Sequence, residues 1–199
     1  MKKSLLLLIT FTASVAFSQK IVLKQGSLDA LQGEKQIRIE YDFSSFGVGK
    51  FSTEKEYLDT KVADYNKDEP GRGDKFLASW NNDKTTRFPA KFEQLFNEGT
   101  AKLGLAGARD FNSKYTLIVK TTFLEPGFNV GVMRKSAAVS FEYLIVESAN
   151  HNNVVAVLTQ NEVPGSMAMG MDYDTGSRIS ESYAKGGKML AAYIVKNLK

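Results

Sequence analysis

Between residues 53 and 163 the hydrophobic period of the chain switches once, from helical to strand-like, and that switch confines it to few folds. Thr53-Glu54-Lys55-Glu56 has the spacing of a capping box, and Leu58, Val62 and Tyr65 follow at helical intervals. Asp68-Glu69-Pro70-Gly71 stops that helix. A second start falls at Asp74, with Phe76, Leu77 and Trp80 on one face and Asn81-Asn82-Asp83 closing it. A third helix runs from Pro89 through Phe92, Leu95, Phe96 and Leu103. Residues 53–104 are therefore expected as a helical block. From Tyr115 the pattern turns to β-branched and aromatic residues, predicting strands at 115–124, 138–147 and 154–163. Asn150-His151-Asn152-Asn153 supplies the turn that pairs the last two as a hairpin. Ser177 to Leu198 closes the chain as a long helix whose stripe is Ile179, Tyr183, Gly186, Leu190, Ile194 and Leu198.

Upstream, residues 35–43 alternate polar and apolar as a half-buried strand, and Ile21 to Leu23 read as an edge strand. Runs of strands and of helices, instead of strict alternation, argue for an α+β fold. The expectation is a single domain with an antiparallel or mixed sheet packed against helices. Its sheet takes the three consecutive C-terminal strands plus one or two N-terminal ones.

The first residues carry a different signal. Met1-Lys2-Lys3 is a basic start, Ser4 to Phe11 is apolar, and small residues precede a cut after Ser18. This is the pattern of a secretory signal peptide over 1–18, leaving 19–199 as the mature domain. The apolar run falls short of the roughly 20 residues that a bilayer span needs. No cysteine occurs in the 199 residues, so a lipoprotein anchor, disulfides and cysteine zinc sites are excluded. The expected location is the periplasm or exterior of a Gram-negative bacterium. Removing Lys2 and Lys3 from the 26 basic residues leaves 24 against 22 acidic ones. That balance is too even for a nucleic-acid footprint.

Five motifs bear on chemistry. Asp174-Thr175-Gly176-Ser177 matches the string of aspartic proteases, but that reaction needs two carboxylates sharing a proton, and no second copy exists. Capping of the final helix by Asp174 or Thr175 is the simpler reading. Asp172-x-Asp174-x-Gly176 begins like a calcium loop, yet Tyr183 stands where an EF-hand needs Glu. Met167, Met169 and Met171 offer thioethers suited to Cu(I). Arg72-Gly73-Asp74 is an integrin-type tripeptide that a helix cap at Asp74 also explains. Gly47-Val48-Gly49-Lys50 lacks the outer Gly and the Ser/Thr of a phosphate loop. The aromatics Phe76, Trp80, Phe88, Phe92 and Phe96 crowd the helical block, and Phe76, Trp80, Phe92 and Phe96 are the candidate ligand groove against a core-packing alternative. His151 is the only histidine and no Gly-x-Ser-x-Gly elbow occurs, which disfavours a serine hydrolase.

The signal ending Phe17-Ser18-Gln19 is similar to those of exported Bacteroidota proteins. The strands at 114–125, 136–147 and 153–163, followed by Gly176-Ser177-Arg178-Ile179 and Lys185-Gly186-Gly187-Lys188, resemble envelope domains distantly akin to curli-assembly and penicillin-binding-protein-activator lipoproteins. The resemblance implies an α/β envelope domain and transfers no functional residue. The function expected is a non-catalytic exported binding or envelope accessory module, with an envelope protein or peptide as partner and no cofactor. The alternative is a Cu(I) protein using Met167–Met171, and a hydrolase stands third.

Overall fold

The computed structural model describes residues 20–130, 133–165 and 174–198. In chain order these form β1 (Val22–Gly26), β2 (Gln36–Asp42), β3 (Gly47–Val48), α1 (Glu54–Asp68), α2 (Arg72–Thr85), α3 (Arg87–Thr100) and β4 (Ala106–Ala108). There follow β5 (Tyr115–Glu125), β6 (Phe128–Val130), β7 (Met133–Lys135), β8 (Ala138–Glu147), β9 (Asn150–Pro164) and α4 (Thr175–Asn197). Seven strands make one mixed sheet in the order β1-β9-β8-β5-β2-β4, with β3 beside the end of β5. The pairs β1–β9, β9–β8 and β8–β5 are antiparallel, while β2 and β3 run parallel to β5. The parallel step exists because α1, α2 and α3 carry the chain back before it returns through β4 and β5. The architecture is a single α+β domain.

Alternation decides which face is buried. Ile37 and Ile39 of β2, Leu117 and Val119 of β5, Phe141, Tyr143 and Ile145 of β8, and Leu158 of β9 are essentially inaccessible. They meet Phe92 and Phe96 of α3 and the Ile179-Tyr183-Leu190-Ile194 stripe of α4 in one core. Arg38 and Glu40 lie on the other face, 3.0 Å apart, as does the Lys120–Glu142 pair at 2.9 Å. Two buried tyrosines have their hydroxyls paired, as burial requires. Tyr143 donates to Gln160 Oε1 and Tyr183 shares a hydrogen bond with Thr121, both at 2.7 Å.

Boundaries moved in places. The capping box at Thr53 forms, with Glu56 N donating to Thr53 Oγ1 and Ser52 N donating to Glu56 Oε2. The second helix begins at Arg72, not at Asp74. Its N-cap is Gly71 in the left-handed region (φ +83), so Asp74 sits inside the first turn and caps nothing. The β8–β9 hairpin is present, but its turn is Ser148-Ala149. Asn150 to Asn153 instead feed an irregularity in β9, where Glu147 pairs with Asn150 and Val146 already with Val154. Short strands β3, β4, β6 and β7 escaped the periodicity, because two or three residues carry no period.

Candidate functional site

The parallel strands end where α4 begins. β5 finishes at Glu125, the chain turns at Pro126-Gly127, and the first turn of α4 rests against that turn. Arg178 is only 4% exposed; its Nε donates to Pro126 O at 3.4 Å and its Nη2 to Thr175 Oγ1 at 3.1 Å. A buried guanidinium is costly unless it is bonded and faces charge. Beside it opens a cleft of about 420 Å³ into which three elements bring cations: Lys50 after β3, Lys61 from α1 and Lys135 from β7. The walls are aromatic, from Phe51, Tyr57, Tyr65 and Phe128. Among the described residues Glu125 is its one carboxylate, accepting from Gly127 N at 3.0 Å and pairing with Lys135 at 2.5 Å.

Lys61 and Arg72 lie 5.6 and 4.8 Å from the centroid of the Tyr65 ring, and Lys50 lies 5.4 Å from that of Phe51. Among the described residues no carboxylate comes within ion-pair distance of Lys50, Lys61 or Arg72. Burial pushes the Tyr57 phenol up, with Tyr65 adding to it and Arg178 opposing, so Tyr57 is a neutral wall and donor at physiological pH.

Tyr65 and Thr175 also border a second hollow of about 310 Å³, which Arg72, Lys75, Phe76 and Trp80 line. Its floor holds the Asp-Thr-Gly segment. Asp174 is the N-cap of α4, accepting from Gly176 N at 3.1 Å, Ser177 N at 3.2 Å and Ser177 Oγ at 2.8 Å. Arg87 from α3 donates to the same carboxylate. Burial pushes Asp174 up, but the bonds from Arg87 and Ser177 outweigh it and hold the carboxyl below its usual range. A second carboxylate is close: Asp83, 3% exposed, places Oδ1 3.2 Å from Arg87 Nε. That ion pair leaves Oδ1 without a hydrogen bond. Burial raises the Asp83 pKa, Arg87 counters, and Asp174 adds. A guanidinium between two carboxylates is the opposite of a shared-proton dyad, so the segment caps and ties helices.

The other sequence candidates sort by burial. Phe92 and Phe96 are 0% exposed and Phe88 is 1% exposed, stacked 4.8 Å from Tyr183. These three are core, which corrects the groove expected from Phe92 and Phe96: α3 packs its aromatic face against α4 through Phe88 and against the sheet through Phe92, beside Tyr41 and Tyr143. Phe76 and Trp80 do border a hollow, although Trp80 shows only 3% of its surface and donates from Nε1 to Glu54 at 2.5 Å. Gly73 of the Arg-Gly-Asp tripeptide is buried in α2, where its N–H donates to Asn66 Oδ1 at 2.7 Å. The tripeptide is thus helical and part-buried, not an extended loop.

Gly47-Val48-Gly49-Lys50 is a strand and turn whose two central N–H groups bond within the fold: Val48 N on Phe51 O, Gly49 N on Leu124 O. Those two amides are therefore not free to cradle a phosphate. Tyr183, at the calcium-loop Glu position, is in the core. His151 Nδ1 faces Glu40 at 4.0 Å, on another part of the sheet. Met167, Met169, Met171 and Asp172 lie outside the described residues. Sequence reasoning missed the cleft cations, because Lys50, Lys61, Lys135 and Arg178 share no motif and meet only through the fold.

No family model matches the chain, and no curated protein does. Among solved structures, the PelC dodecamer of Paraburkholderia phytofirmans is similar at 12% identity and a TM-score of 0.40, over 87% of this chain and 97% of that one. A Xanthomonas campestris protein of family DUF330 is similar at 10% identity and a TM-score of 0.37, over 82% of this chain and 84% of that one. Likenesses this distant assign no activity to the chain.

Proposed function

We propose that the protein is an exported, non-catalytic binding module of the bacterial envelope that takes an anionic ligand in the cleft at the start of α4. The observation that carries the reading is the gathering of Lys50, Lys61 and Lys135 beside Arg178 around aromatic walls, with one carboxylate among the described lining residues. A mature chain with 24 basic and 22 acidic residues has no general excess of charge to explain that. Low-dielectric walls focus the field of such a cleft and raise the local concentration of anions. Its volume lies within the range of small-ligand sites, about 300–1,000 Å³. Export rests on the leader-like first 18 residues.

The test uses the single tryptophan, Trp80, which borders the adjoining hollow. Titration of the mature protein with inorganic pyrophosphate should change its fluorescence saturably, and phosphorus NMR should show the pyrophosphate unchanged. A Lys50→Ala/Lys61→Ala variant should keep its melting temperature and lose at least tenfold in affinity, since two close charges contribute on the order of 1 kcal/mol each at a half-buried site. If that variant titrates like the wild type, the cleft is not the site.

A further inference from the structure

β6 and β7 form a two-stranded ladder of their own, apart from the main sheet. Phe128 pairs with Lys135, and Met133 lies two residues before Lys135, so Phe128, Met133 and Lys135 share one face of this hairpin. Phe128 is 42% exposed and Met133 62%. Only two other large apolar side chains are exposed among the described residues, Val22 and Leu23 on the edge strand β1. The hairpin pair stands next to cations: Lys135 and, across the cleft, Lys50 and Lys61, with Arg134 exposed on the hairpin itself. A soluble anion gives no reason for apolar side chains to face water beside its site, whereas exposed apolar groups edged by basic ones are the composition of a surface that lies on an anionic bilayer.

Resting on the reading of the cleft as an anion site, we infer that the anion it takes is the headgroup of an anionic phospholipid still in its membrane. Phe128 and Met133 enter the boundary of the acyl region, while Lys50, Lys61, Arg134 and Lys135 sit among the headgroups. The membrane's negative surface potential acts on each of these cations within a Debye length, about 8 Å at physiological salt. Attachment by a few exposed apolar side chains and surface cations is reversible and set by salt.

Cosedimentation of the full mature protein with vesicles tests this. Vesicles of phosphatidylglycerol mixed with phosphatidylcholine should bind it at low salt, pure phosphatidylcholine should not, and raising salt to 0.5 M should weaken binding about tenfold or more. Met133→Ser, on the hairpin but outside the cleft lining, should lower vesicle affinity about fivefold and leave the pyrophosphate titration unchanged. Val22→Ser/Leu23→Ser, which removes the other exposed apolar pair, should leave vesicle binding as it is. Melting temperatures of both variants verify folding. The inference is overturned if the hairpin variant binds phosphatidylglycerol vesicles like the wild type, or if the Val22/Leu23 variant loses as much. Pyrophosphate binding without vesicle binding overturns it as well and leaves the cleft reading standing. Binding of neither overturns both.

Discussion

At Asp174 one carboxylate closes the first turn of α4 and holds Arg87 of α3. Asp174→Ala removes both, and an N-cap loss alone costs about 1 kcal/mol, which urea denaturation at pH 7 should read as a lowered midpoint with unchanged slope. The pH dependence follows from the direction of the shift. Asp174 is held below its ordinary value, so its contribution is full above about pH 4 and is lost as pH falls through its lowered folded value. The wild type and Asp174→Ala should therefore converge in stability toward pH 2. Asp83 goes the other way. Its raised value means that the folded state favours the proton, so stability is lost as pH rises through it. Asp83→Asn should gain on the wild type as pH rises above the ordinary aspartate value; a difference that stays flat over that rise would show that Arg87 compensates the charge fully. The cap itself was legible in Asp174-Thr175-Gly176-Ser177. Arg87 and Asp83 as its partners were not, because nothing local to residues 83–87 points to a residue so far along the chain.

The crossing of α3 and α4 is built on absent side chains. A Cβ on Gly187 would stand 2.4 Å from Phe92 O, and one on Gly99 2.5 Å from Ala191 Cβ. Backbone cannot step aside as a flexible side chain can, so Gly187→Ala should destabilise by about 1–3 kcal/mol despite alanine's better helix propensity. A higher denaturation midpoint would refute the close approach. Gly186 faces the sheet instead, with Phe141 Cε2 at 2.9 Å and Tyr143 Oη at 3.1 Å from a built Cβ. Gly186→Leu should overpack that contact by a similar amount. The sequence stripe placed both glycines near the apolar face of the last helix. Which one meets a helix and which the sheet depends on the rotation of α4 about its axis, a property of packing.

For the whole molecule, mass spectrometry of the mature protein from its native host should find a start at or near Gln19. A soluble species that keeps Met1 to Ser18 would remove export from the reading. Among the described residues no helix is long and apolar enough to cross a membrane. The helical block, the long strands β5, β8 and β9 and the final helix are written in local periodicity, because burial on one face imposes a repeat of 3.6 or of 2 on whatever residues provide it. Strand order and the cleft depend on contacts between segments far apart in sequence. That β5 runs between β2 and β8, and that Lys50, Lys61, Lys135 and Arg178 converge at its end, follows from which registers bury the apolar faces together. A lysine on a strand end or helix face obeys the same local pattern whether it meets other cations or only water, so the sequence by itself determined the elements and their buried faces, and the tertiary structure alone decided where their charges gather.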